Sequence, residues 1–439
     1  MSMPKSALLK LGITIAVPLP AFICRLGSIE LSSTTSLFMY GAAVVGAAVL
    51  LSWAAETVQL DISGGLAIAI LAFIAVLPEY AVDLYFAYTA GSDHSYASYA
   101  AANMTGGNQL IQGLGWPLVA FVSALAIYKT RKRFTKNRST HKTIPATATN
   151  EAQKATVAPV VAPPNRNILD GIRLLKKRRI ELLFLGIATV YSFFIPILRN
   201  INLFDAFVLL FIYFLYLWKV TKEEHEEPEL IGVCYHLGCL AQRSRRITVI
   251  SMFISAAAFI LCAAEPFSES LIATGRNLGI DEFLLVQWLA PLVSEAPELI
   301  VAGLLAWRLK EDDALGALIS SKLNQWTLLV GTIPLAYLVG GGHMGSLPLG
   351  ERQIEEFILT AAHTLFGFAV LLNLRFNWKE ALVMVVLFFA QFPFTHTTAR
   401  LCFAAFYAFL AAVLIVLHRR YLPITVVYVF KKQSQKQKT

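Results

Sequence analysis

Apolar stretches long enough to cross a lipid bilayer recur along almost the whole chain, and few folds accommodate that. A hydrocarbon core about 30 Å thick takes roughly 20 helical residues. Stretches of that order lie near 7–26, 36–58, 63–90, 96–128, 180–198, 202–219, 247–270, 281–307, 313–339, 354–374, 380–394 and 398–418. Lipid offers no water to backbone N–H and C=O groups, so each stretch must close its own hydrogen bonds as a helix. The expectation is an all-α polytopic membrane protein of about twelve transmembrane helices. With 56% hydrophobic and 15% charged residues, the chain is not an ordinary soluble domain. The first stretch follows Lys5 and Lys10 and reads as a retained helix or as a cleaved signal peptide. The closing "YLPITVVYVF" (421–430) is too short to span and is expected at the interface.

Charge gives the sidedness. Fourteen of the 37 Lys and Arg fall in 129–179, and others cluster at Arg243, Arg245 and Arg246, at Arg308 and Lys310, at Arg375 and Lys379, and at the C-terminus. Twelve crossings bring all of these to one side, which the positive-inside rule makes cytoplasmic. The opposite loops carry single arginines, such as Arg199, Arg276, Arg352 and Arg400. Both termini are then cytoplasmic, and the expected location is a prokaryotic cytoplasmic membrane. Topology thus accounts for the net charge of +9, and nucleic acid is not an expected partner.

The segment 130–170 is rich in Ala, Thr, Pro and Val without periodicity and reads as a flexible linker. The halves on either side of the chain's middle repeat. "AIAILAFIAVLPEYAVDLYFAYTAG" (67–91) aligns with "FLLVQWLAPLVSEAPELIVAGLLAW" (283–307) on Pro78-Glu79 and Pro297-Glu298. "NMTGGNQLIQGLGWP" (103–117) aligns with "LISSKLNQWTLLVGTIP" (318–334), setting Asn108-Gln109 opposite Asn324-Gln325. Glu56 and Glu265 share a third, Ala-Ala-Glu block and are expected to stabilise helix ends. Five helices per copy is an odd number, so the second copy is inverted and the two meet at the membrane midplane. The layout is a flanking helix in 1–30, a first five-helix repeat over 36–219 that contains the cytoplasmic linker 129–179, a cytoplasmic loop over 220–246, a second repeat over 247–394, and a flanking helix with a basic tail over 398–439.

Proline removes an N–H, so Pro297 deprives the Val293 carbonyl of its helix partner and Pro78 does the same to Ile74. Glu295 and Glu298 stand three apart and Glu79 and Asp83 four apart, which puts each pair on one helix face. Carboxylates buried in lipid need neutralising, and the Pro-Glu segments hold no Lys or Arg. The compensating charge is sought in bound cations or protons. Hard oxygen ligands suit Ca²⁺ or Na⁺, and the amides of Asn108, Gln109, Asn324 and Gln325, with hydroxyls such as Thr327, complete a shell. Asp83 either faces the ion or an aqueous vestibule, and Gly106-Gly107 reads as a site of close helix packing. The Cys234, His236 and Cys239 group lacks a fourth ligand at zinc spacing.

A Pro-Glu helix followed by an Asn-bearing helix, duplicated and inverted, resembles the α-repeats of the sodium/calcium exchanger (cation/Ca²⁺ antiporter) superfamily, in a divergent prokaryotic-type member. There the motifs run Gly-Thr-Ser-Leu-Pro-Glu and Gly-Ser-Asn-x-x-Asn or Asp. The resemblance implies that Glu79 and Glu298 are the central cation-binding acids and that Asn108 and Asn324 take the Asn of the second motif. Glu295 replaces the first motif's Ser, while Ile111 and Thr327 stand at the second motif's final position. The implied activity is antiport of Ca²⁺ or a similar cation against Na⁺ or H⁺ by alternating access. A Na⁺/H⁺ exchanger on the same scaffold, and a channel or scaffold without transport, are the alternatives. No enzyme chemistry and no cofactor are expected. The partners are inorganic cations, carried as cargo, and membrane lipids.

Overall fold

The computed structural model describes residues 4–61, 77–140, 171–222, 230 and 232–430, with 133–140 as backbone only. The first half of the expected helix 63–90, including Ile74, and most of the expected linker lie outside these residues. The first apolar stretch is two helices, α1 (Lys5–Ala16) and α2 (Leu19–Leu26), because Pro18 interrupts the ladder between them. α3 (Ser33–Val58) is capped by the Ser32 hydroxyl. α4 (Leu77–Ala90) carries the first Pro-Glu pair. α5 (Tyr96–Leu110) passes through a π turn at Ile111–Gly115 into α6 (Trp116–Thr140). α7 (Arg179–Ser192), α8 (Ile195–Leu198) and α9 (Leu203–Val220) complete the first half.

A short α10 (Val233–Gly238) precedes α11 (Gln242–Leu278), which is far longer than the expected 247–270. It runs on through Pro266 and ends where Gly279 adopts the left-handed conformation that closes a helix. Two expectations change as a result. The Arg243, Arg245 and Arg246 cluster is the first turn of α11 rather than a loop, and Glu265 lies mid-helix, paired with Arg25, rather than at a helix end. Arg245 donates two hydrogen bonds of 2.7 and 2.8 Å to Asp61, tying the end of α3 to the start of α11. This guanidinium holds the Asp61 carboxyl below its usual range.

The second half continues with α12 (Glu282–Trp307), α13 (Glu311–Asn324), a π turn at Gln325–Leu329, and α14 (Val330–Val339). α15 (Glu351–Leu371), α16 (Trp378–Ala390), α17 (Thr397–Leu417) and α18 (Tyr421–Phe430) close the chain. Arg400, expected in a loop, sits in the first turn of α17 and is buried. The tail 421–430 forms a helix that docks on α7, with Arg179 donating to the Thr425 hydroxyl.

Two small strand pairs demonstrate the inversion. Ile172–Arg173 precedes α7 and pairs with Arg375–Phe376, which follows α15; Asn200–Ile201 follows α7 and pairs with Leu347–Pro348, which precedes α15. The start of each helix is thus tied to the end of the other, and α7 and α15 run antiparallel. The junctions beyond them are copies. Arg199 and Leu374 both take positive φ, two strand residues follow, and Asn202 with Asp205 and Asn377 with Glu380 then form matching capping boxes on α9 and α16. The protein is all-α with two inverted repeats and flanking helices.

Among the described residues, nine helices are long and apolar enough to cross a membrane. α16 falls short at 13 residues. The outward face of α9 exposes Phe204, Phe207, Phe211, Phe214 and Trp218 at helical spacing. A stripe of that size in water would be an aggregation site; here it faces lipid. The polar residues lie inside instead.

Candidate cation site

The second helix of each half packs on the third helix of the other: α12 on α5, and α4 on α14. The Pro-Glu motif of α12 meets the Asn-Gln motif of α5 at the first crossing, and Gln325 of the π turn reaches Glu295 as well. α12 runs unbroken through both Pro291 and Pro297. Pro291 has no N–H to offer the Gln287 carbonyl four residues back, and that carbonyl lies directly over Gly106 of α5. A Cβ at position 106 would collide with it. Gly106 therefore serves close packing, as expected, while Gly107 faces the acids: a Cβ there would lie 3.1 Å from Glu295 Oε1, 3.5 Å from Gln325 Nε2 and 3.5 Å from Glu79 Oε1. Gly106→Ala is expected to force α5 off α12 and destabilise the protein by about 1–3 kcal/mol, the range for overpacking. Thermal melts of the purified variant measure it, and an unchanged melting temperature would show that the crossing yields freely.

Glu79, Asp83 and Glu295 are buried and Glu298 is partly so. The four share one electrostatic neighbourhood, drawn from α4 and α12. Glu295 accepts from the Gln325 amide, and Glu298 accepts from Ser321 at 2.6 Å. Asp83 is fully enclosed. Beyond those bonds the acceptors outnumber the donors. Glu79 Oε1, both Asp83 oxygens, Asn108 Oδ1, Glu295 Oε2, Asn324 Oδ1 and Gln325 Oε1 are buried with no hydrogen-bond partner among the described residues. Each orphaned acceptor costs about 1–3 kcal/mol or more if charged. These oxygens are satisfied by a hard cation or by protons, which fits the expected ligand chemistry, although the Asn103 amide nitrogen is buried without a partner as well. Among the described residues no three His, Cys, Asp or Glu side chains gather tightly enough to hold a metal by themselves.

The expected ligand Gln109 is engaged elsewhere. Gln109 donates to Thr360 at 2.8 Å and to Glu356 at 3.3 Å and accepts from Gln391 at 2.8 Å. The Thr327 hydroxyl donates to the Leu323 carbonyl at 2.6 Å. Gln112 joins α15 by donating to the His363 carbonyl, as a residue that links helices. Lys322 is a residue that sequence reasoning missed. Fully buried, it donates from Nζ to the Asn108 carbonyl at 2.6 Å. Its signal was a lone lysine inside the expected membrane-spanning stretch 313–339, at the position aligned with Gly106.

The family profile described as "Sodium/calcium exchanger protein" matches residues 32–149 and 248–396, more than half of the chain. The chain belongs to the sodium/calcium exchanger family. Both matched segments contain one Pro-Glu helix and one Asn-Gln helix, so the profile covers the site as well as the scaffold. Among solved structures, the exchanger is similar to an "H+/Ca2+ Exchanger CAX" at 38% identity, over 97% of this chain and 98% of that one, with a TM-score of 0.84. It shares its fold with YfkE, at 15% identity, 91% and 99% coverage and a TM-score of 0.56. It shares it also with the sodium-calcium exchanger NCX_Mj, at 15% identity, 82% and 97% coverage and a TM-score of 0.50. No curated protein matches the sequence.

Proposed function

We propose that the protein exchanges Ca²⁺, or a similar cation, for H⁺ by alternating access across the membrane, with both termini cytoplasmic. The observation that carries this reading is the group of buried, unpartnered oxygens between Glu79 and Glu295, contributed by both halves. A cation between the halves gives them a reason to close, and its departure leaves like charges that favour reopening toward either side. The CAX relative, at 38% identity, supports H⁺ rather than Na⁺ as the counter-ion. The chemistry agrees. The four acids counted by themselves, all ionised, would leave two charges uncompensated around one Ca²⁺, and uncompensated charge in such a site costs several kcal/mol. Protons on the acids remove that cost when Ca²⁺ leaves.

The sign of the pH dependence follows. A carboxylate ligates a cation only when deprotonated, so lowering the pH loads protons onto the site and weakens Ca²⁺ binding, by up to about tenfold per pH unit for each proton displaced. Glu295→Gln removes one titrating member and should flatten that slope. Isothermal titration with Ca²⁺ in buffers of different ionisation enthalpy counts the protons released. Affinity independent of pH, with none released, would leave Na⁺ as the counter-ion. In proteoliposomes, an imposed pH gradient should drive uptake of radiolabelled Ca²⁺ and a Na⁺ gradient should not.

A further inference from the structure

Lys322 has no role in the reading above, and its setting is unusual. A lysine in the middle of a membrane protein is expensive and is kept where its charge is used. This one is fully buried. Its Nζ reaches across the two-fold to the Asn108 carbonyl at 2.6 Å, just ahead of the π turn at Ile111–Gly115 where the hydrogen-bond ladder shifts register. Its electrostatic neighbours are Glu295 on α12 and His363 on α15. The repeats break symmetry here, because the position aligned with Lys322 is Gly106, which has no side chain at all. One half therefore sets a lysine on the Asn108 carbonyl, next to the Gly107 that faces Glu295 and Glu79, while the other places only backbone.

We propose that the Lys322 ammonium is a tethered cation of the exchange site, taking the place of one monovalent ion that the four carboxylates would otherwise draw from solution. The inference rests on the ion-exchange reading and deepens it. An ammonium has the charge of Na⁺ and binds the same hard oxygens, backbone carbonyls included. With it present, the acids and the lysine leave three net negative charges, and a bound Ca²⁺ leaves one. The tether fixes that compensation at every turn of the cycle, so a mobile monovalent cation is excluded and the cation stoichiometry falls by one.

The test uses the full-length protein in proteoliposomes, with radiolabelled Ca²⁺ uptake recorded at clamped membrane potential and varied Na⁺. Lys322→Gly, which copies the other repeat, and Lys322→Met, which keeps the volume of the stem, should each change the charge moved per Ca²⁺ by one. Both should become about tenfold more sensitive to Na⁺, a shift of about 1.4 kcal/mol in its binding. Millimolar methylammonium should restore the original charge per Ca²⁺ and the original Na⁺ response in both neutral variants. Neutral variants with the original charge per Ca²⁺ and the original Na⁺ response would overturn the proposal. Gel filtration reports folding: if both neutral variants collapse, recovery in methylammonium or Na⁺ supports a tethered cation, and collapse that neither ion reverses assigns Lys322 to packing and overturns it. If the unaltered protein moves no Ca²⁺, the exchange reading itself fails; if it does and the neutral variants match it, only the tethered cation fails.

Discussion

Replacing Glu79 or Glu298 by Gln is expected to cut Ca²⁺ exchange at least about thirtyfold while leaving the yield of folded protein unchanged. Each acid comes from a different half, Glu79 from α4 and Glu298 from α12, so neither copy of the motif can substitute for the other. An amide keeps the shape of the side chain and the Ser321 bond to Glu298 can still form, but one unit of negative charge is lost. Removing one member of a buried charged pair costs about 2–5 kcal/mol, and 1.4 kcal/mol is a factor of ten. Folding should tolerate the change, because amides at these positions carry no uncompensated charge into the bilayer. Radiolabelled Ca²⁺ flux in proteoliposomes, normalised to the monodisperse gel-filtration peak, measures it. Unaltered flux in either variant would remove that residue from the site.

What the sequence disclosed and what it hid divide along the range of the interactions. The Pro-Glu pairs and the Asn-Gln pairs are local signals, and an alignment of the chain with itself brings them together without any structure. Helix ends were less legible. α11 runs through Pro266 to Leu278 and ends at Gly279, whereas hydropathy falls away sooner, at the polar residues Ser268, Glu269 and Ser270. Lys322 was overlooked because the absence of basic residues was judged within the Pro-Glu helices, while the lysine arrives from the other motif of the same half. Gln109 was assigned to the ion on its adjacency to Asn108, yet successive helical residues diverge by about 100°, and its amide turns to α15 instead. Arg400 reads as a loop charge at the very edge of the apolar stretch 398–418. Its partner is Glu356, 44 residues earlier, and no local pattern links the two.

That partnership carries the second large expected effect: Arg400→Leu should destabilise the protein by about 3–5 kcal/mol, the cost of leaving a buried charge without its partner. The symmetry of the fold explains why the pair exists. Glu181 stands 21 residues before the cap Asn202, and Glu356 stands 21 before the matching cap Asn377, so each half buries one acid at the same place in corresponding helices α7 and α15. In the first half the counter-charge is local, since Arg178 lies three residues before Glu181 with its guanidinium 3.3 Å away. In the second half it comes from outside the repeat, from Arg400 on the flanking helix α17, and both side chains are about 95% buried. Glu356 also accepts from Gln287 of α12 at 2.7 Å and from Gln109 of α5 at 3.3 Å, which links the flanking helix to two helices of the cation site. Removing the arginine alone leaves the acid charged and enclosed. Removing the charge of both, in Arg400→Leu with Glu356→Gln, should recover most of the loss, because an amide in place of the acid still accepts a hydrogen bond. Thermal melts of the purified single and double variants give the coupling directly. A double variant no more stable than Arg400→Leu would mean that the arginine acts through packing, and that the two halves are not neutralised by equivalent pairs.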